Sequence, residues 1–257
     1  MDERVIGVLG GMGPEATLVF YARLIDNTPA RKDQDHVRVI INSNPKVPDR
    51  TAALLWGGES PLPLMTSGIE ALERAGADFV VIPCVSAHVF LDELRRRVRI
   101  PVLSIFDAAA ELVCSEFPGI HRLGLLATTG TVASGLFQHR LAESGFEVIV
   151  PDAQDQARVM AAIYGIKASA AAGDRARVAA EVRAVAERVV ALGAEALVLG
   201  CTELPLVFGP GDINVPVIDS LLSLARAALR AAGREPTTES PVHRQGGGDV
   251  KGGSRLC

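Results

Sequence analysis

The sequence predicts an α/β protein of two pseudo-symmetric lobes, each a parallel sheet flanked by helices, with a cleft between them. Three observations predict this. Short apolar runs rich in β-branched residues alternate with segments of helical period along the chain. Those runs are continuous, which is the pattern of strands covered on both faces, as in a parallel sheet. The chain also repeats itself at an offset of 117 residues. RVIGVLGGMGPEATLVF lies over RLGLLATTGTVASGLF, with Gly7 on Gly124, Gly13 on Gly130 and Phe20 on Phe137. AGADFVVIPCVS lies over LGAEALVLGCTE, with Cys84 on Cys201.

In chain order, residues 5–9 read as a buried strand, followed by the glycine-rich turn GGMGPEAT. Pro14 suits the first turn of a helix, placed over 15–26. A strand over 37–41 leads into NSNPKVPDRT, an extended loop stiffened by two prolines, from which Arg50 projects. A helix over 63–74 and strands over 79–82 and 102–105 complete the first half, and a helix over 108–116 follows. The second half repeats the order: strands over 123–126, 147–150, 196–199 and 215–218, and helices over 132–144 and 175–192. Residues 100–113 echo 215–229, and each closes its repeat. Lobe one is therefore assigned to 1–104 plus 217–233 and lobe two to 105–216. Residues 234–257 are Pro-, Thr-, Gly- and Ser-rich without apolar period, so a disordered tail is expected there.

Of the 257 residues, 48% are hydrophobic and 22% charged, enough for a sizeable core. A net charge of −4 gives no footprint for nucleic acid. No run is long enough to span a membrane and the N-terminus does not read as a signal peptide. Four cysteines without a CxxC pair argue against a zinc site. Together these point to a cytoplasmic protein with reduced thiols and no metal.

Two motif pairs bear chemistry. The turns GGMGPEAT and ATTGTVAS each join a strand to a helix, where exposed N–H groups attract anions. Gly11, Met12, Thr128, Thr129 and Thr131 fall in them. Tight turns without a ligand would read the same way. GMGPEA also fits a dinucleotide fingerprint, but its duplicate does not. The second pair is PCVSAH and GCTELP, each with its thiol at the carboxyl end of a strand, where open α/β sheets bind ligands. A helix starting there would lower the thiol pKa. Cysteine is also a common buried small hydrophobe. Cys114, in an apolar helix, is read that way. His88 is four residues from Cys84, but no third group marks a nucleophile–base dyad. Arg50 and Lys167 are each compatible with an ordinary solvated surface side chain.

With these residues the chain resembles the aspartate/glutamate racemase family, in its cofactor-independent, two-cysteine aspartate racemase branch. The pieces are GGMGPEAT, VPDRT, PCxxAH, ATxGT, Ile166-Lys167 and GCTELP, spread from about residue 6 to 229. The resemblance implies a homodimer of two-lobed subunits without a cofactor, acting on a small amino acid or dicarboxylate. By motif match, Cys84 and Cys201 take the catalytic positions, and Arg50 and Lys167 those that hold substrate carboxylates. Met12, Gly11, Val85, Ser86, Thr128, Thr129, Thr131 and Thr202 would line the substrate. One thiolate would remove the α-proton of an acidic or related amino acid while the opposite thiol reprotonates the other face. Where the family shows PCNTAH, this chain has Val85 and Ser86. Val85 lacks the amide that would meet a polar substrate group, so weak activity on aspartate is expected. A cysteine-dependent isomerase or decarboxylase on the same fold, and a binding protein without activity, are the alternatives. Glu203 is compatible with tuning Cys201, with binding an ammonium, or with a surface place.

Overall fold

The computed structural model describes residues 3–168 and 172–237. Two parallel sheets form two lobes. The first has the order β2–β1–β3, from β1 (Ile6–Gly10), β2 (Val39–Ser43) and β3 (Phe79–Val81). The second has the order β5–β4–β6–β7, from β4 (Arg122–Ala127), β5 (Glu147–Ile149), β6 (Ala196–Gly200) and β7 (Val217–Asp219). β1 and β6 are buried along their whole length, as their unbroken apolar runs require. The duplicated strands pair alike: β1 lies between β2 and β3, and β4 between β5 and β6.

Among the described residues, ten helices cover the sheets. In lobe one, α1 (Pro14–Asn27) follows the first turn, α2 (Arg50–Leu55) and α3 (Leu62–Arg74) follow β2, and α4 (Leu91–Arg97) follows β3. Next come α5 (Ile105–Glu116), α6 (Thr129–Ser134), α7 (Leu136–Glu143), α8 (Ala153–Ala168), α9 (Ala172–Ala191) and α10 (Ser220–Ala231). One apolar cluster runs through both lobes, from Ile6, Phe20 and Phe79 through Phe106 and Phe137 to Leu221 and Leu229. The two sheets therefore share a core and are held as one body.

The duplicated glycines show how closely the lobes approach. A Cβ on Gly13 would lie 2.9 Å from the Glu203 carboxylate, and one on Gly130 would lie 2.9 Å from Thr51 Oγ1. At matching positions, each lobe's turn accepts a side chain from the other lobe, and only glycine leaves room for it.

Several elements differ from the sequence reading. Residues 102–105 make only a bridge between Val102 and Val80, because Ser104 caps α5 through the Asp107 N–H and draws Ile105 into the helix. The helix expected over 132–144 is two helices, α6 and α7, broken at Gly135, whose φ of 66° ends α6. The boundary expected at 216/217 would part β7 from its neighbour: Val217 and Ile218 pair with Leu197 and Val198 of β6, so this strand belongs to the second sheet. α10 crosses back and packs on α1 and α5. Part of the expected tail is ordered. Arg234 pairs with Glu3 at 3.0 Å, and the Thr237 N–H donates to the Asn27 carbonyl. The remainder, Cys257 included, lies outside the described residues. Cys114 is exposed on α5, not buried as its apolar helix suggested.

Candidate active site

The site lies where the carboxyl ends of both sheets meet. From lobe one come the turn after β1, the start of α2, and Cys84 after β3. From lobe two come the turn after β4, the end of α8, and Cys201 after β6. A cavity of about 310 Å³ opens here, lined by residues 11–15, Pro45, Val47, Asp49, Arg50, Ile166, Lys167, Glu203 and Leu206.

Both thiols sit just behind this lining. Cys84 is 3% exposed and Cys201 4%. Cys201 Sγ donates to Glu203 Oε2 at 3.3 Å, and Cys84 Sγ lies 3.5 Å from Ser86 Oγ. Only short 3-10 turns follow them, Val85–Phe90 and Leu204–Leu206. The helix dipole expected to lower the thiols is therefore weak. Burial, and then the Glu203 charge, instead push the Cys201 thiol well above its usual value.

Arg50 is not on a loop. It is the first residue of α2, whose N-cap Asp49 accepts the Ala52 N–H at 2.8 Å, and it is 7% exposed. Its Nη1 donates to the Val47 and Pro48 carbonyls and its Nη2 to the Met12 carbonyl, while Nε is buried with no partner. Burial works against its charge, but Cys84, then Asp49, outweigh it and raise the pKa. The guanidinium also lies within hydrogen-bonding reach of the Cys84 side chain.

Lys167, in the last turn of α8, lies 3.9 Å from Glu203 Oε1. Burial would lower this ammonium, but Glu203, then Cys201 and Cys84, hold its pKa above the usual lysine value. A single cation on α8 thus feels a thiol from each lobe. Glu203 is 3% exposed, accepts the Gly13 N–H at 3.2 Å, and receives the Thr202 hydroxyl at 3.3 Å. The sequence left Glu203 among three readings; its signal was only its position two residues after Cys201.

The other expected substrate contacts divide. Gly11 and Met12 line the cavity. Thr128 and Thr131 are buried and bonded to each other at 2.9 Å, and Thr202 is 1% exposed. The Thr129 N–H points to Met160 Sδ at 3.5 Å. Ser86 is half-buried, and Val85 packs in the apolar cluster with Phe106 and Phe137. None of these six lines the cavity.

His88 is buried against Cys84, but both of its ring nitrogens face main-chain carbonyls, that of Cys84 at 2.9 Å and that of Leu103 at 3.3 Å. Burial pushes its pKa down to about 4. The neutral form is bound in the folded state, so stability is complete above pH 6.5 and is lost as pH falls toward 4. His88→Gln is expected to remove this loss, which is on the order of 3 kcal/mol. Urea unfolding at pH 7 and pH 5 checks it: an equal pH dependence in both proteins would contradict the assignment.

Among the described residues no group of His, Cys, Asp or Glu side chains is placed to hold a metal, and no helix is long and apolar enough to cross a membrane.

Two duplicated parallel-sheet lobes closing on one charged cavity define an α/β enzyme of the two-lobed, cleft-centred class. The profile of the Asp/Glu/Hydantoin racemase family matches residues 9–228, and the chain belongs to that family. It is 29% identical over 230 residues to the broad specificity amino-acid racemase RacX of Bacillus subtilis (strain 168), covering 88% of this chain and 96% of that protein. The solved aspartate racemase of Picrophilus torridus matches with a TM-score of 0.81 at 32% identity, covering 91% of this chain and 96% of the other. An aspartate racemase homologue from Pyrococcus horikoshii OT3 matches with a TM-score of 0.71 at 29% identity, covering 90% and 100%.

Proposed function

We propose that this protein is a cofactor-independent amino-acid racemase that moves the α-proton between two thiols. The observation that carries this reading is the placement of Cys84 and Cys201 at matching strand ends of the two lobes, both within the field of Lys167. One sulfur removes the proton from one face of Cα and the other delivers a proton to the opposite face. Charge building on the substrate carboxylate is met by the Arg50 guanidinium and the Lys167 ammonium, which both line the cavity. Burial of the site keeps water from competing for the carbanion. Screening amino acids for loss of optical rotation and for α-proton exchange tests this. No racemisation of any amino acid by folded protein would overturn it.

For the substrate, we infer a preference for uncharged side chains over aspartate. The cavity's cations are already matched: Lys167 by Glu203, and Arg50 by three carbonyls and the neighbouring Asp49. Met12, Val47, Ile166 and Leu206 supply apolar lining. The relative named as having broad specificity is in keeping with this. Val85 packs in the apolar cluster and does not line the cavity, so Val85→Asn is expected to cost about 1–3 kcal/mol of stability, because an amide enters that cluster, and to leave the aspartate-to-alanine ratio unchanged. An aspartate-to-alanine ratio that rises in Val85→Asn would contradict this placement.

The cytoplasm as compartment and a homodimer as working form belong to the same proposal. Size-exclusion chromatography with light scattering tests the dimer.

A further inference from the structure

The two thiols are equivalent by duplication but not by surroundings. Cys84 has a neutral hydroxyl, Ser86, beside its sulfur and the Arg50 guanidinium nearby. Cys201 has a carboxylate, Glu203, as its acceptor at 3.3 Å. An ionised carboxylate accepts and does not donate, so with Glu203 charged beside Lys167 this contact places the proton on Cys201 sulfur. Glu203 is itself fixed on every side: by the Gly13 N–H at the start of α1, the Thr202 hydroxyl, and Lys167 from α8, with Arg50 of α2 also in its field. Nothing at the corresponding place in lobe one repeats this carboxylate, since Ser86 stands there.

We propose that Glu203 is a positioning residue that keeps Cys201 as the protonated, proton-delivering member of the resting pair, and so makes the two thiols unequal. The assignment rests on the two-thiol reading above. With the proton on Cys201, the resting enzyme acts first on the enantiomer whose α-hydrogen faces Cys84. The Cα–H bond breaks as an S–H bond forms on Cys84, and the electron pair left on carbon is delocalised into the carboxylate. The Cys201 S–H bond then breaks as a new Cα–H bond forms on the opposite face, and its electron pair stays on sulfur. This leaves a thiolate beside the Glu203 carboxylate. The like-charge contact raises the energy of that form, and Lys167, 3.9 Å from the carboxylate, offsets part of the rise. Glu203 therefore sets how the single proton is shared between the lobes, and its charge favours one of the two protonation forms.

The test reads each thiol without turnover. The full chain is alkylated with iodoacetamide from pH 6 to pH 10, and modification at Cys84 and Cys201 is followed separately by peptide mass spectrometry. Only the thiolate reacts, so the pH at which each rate rises reports ionisation, whatever the access. In the parent, Cys201 is expected to react only at alkaline pH. Glu203→Gln keeps the size and the Gly13 contact but removes the charge. It is expected to raise the Cys201 rate near neutral pH by about tenfold or more, with the Cys84 rate within twofold. Glu203→Asp, which keeps the charge, is expected to leave the Cys201 curve at alkaline pH. A Cys201 curve unmoved by Glu203→Gln, or Cys84 and Cys201 moved together, would overturn the proposal. If Glu203→Gln does not fold, the parent decides alone: a Cys201 as reactive at neutral as at alkaline pH overturns it. Failure of the racemase reading is seen elsewhere, in turnover, so the two outcomes are distinct.

Discussion

Cys84→Ala and Cys201→Ala are each expected to lower racemisation by about a hundred- to ten-thousandfold, the range over which a positioned proton donor or acceptor acts. Each sulfur serves a different face of Cα, so neither can replace the other. The double variant is expected to be no worse than the more damaged single one, because both act in one proton relay. Cys114→Ala is the control. That thiol is exposed on α5, away from the cavity lining, so its loss should change stability by no more than about 0.5 kcal/mol and leave turnover intact. Chiral chromatography of the product gives the rates. A single-thiol variant that racemises at the parental rate would dismiss the mechanism.

The second large effect is expected at Arg50. The guanidinium makes three hydrogen bonds to main-chain carbonyls, lies beside the Cys84 side chain and lines the cavity. A lysine ammonium has three donors on one atom and cannot reach the same points. Arg50→Lys should therefore lower kcat/KM by about ten- to a hundredfold, or ~1.4–2.8 kcal/mol. It should also lower the Tm, because the Met12, Val47 and Pro48 carbonyls lose partners in a buried place. The two effects are separable. A lower Tm with unchanged kcat/KM would make Arg50 a brace for the turn after β1 and not a substrate ligand.

Much of this was legible in the sequence, for identifiable reasons. Buried parallel strands leave unbroken apolar runs, and every strand except residues 102–105 stands within two residues of its expected place. The duplication gave the matching of β1 with β4 and of Cys84 with Cys201, because an internal repeat needs no other sequence to be seen. Short helices were harder. α2 is six residues long and begins at Arg50, and its start is marked only by Asp49, a cap that also reads as a turn residue. Cys114 shows the limit of composition: an apolar helix has an outward face, and period alone did not place residue 114 on it. The partners of Lys167 and Glu203 come from different segments, so only the folded chain brings them to 3.9 Å. Val85 is the same case, because the cluster it joins gathers residues such as Phe106 and Phe137 that are distant in sequence.

The central claim is proton transfer between two thiols on opposite faces of one carbon. It is tested most directly by following a single enantiomer in deuterium oxide during the first few per cent of turnover. Two thiols that each handle one face predict that the product enantiomer forms with deuterium at Cα, while the recovered substrate keeps its original hydrogen. A product that retains the substrate's hydrogen, or deuterium entering substrate and product equally from the start, would mean that one group serves both faces, and would contradict the account.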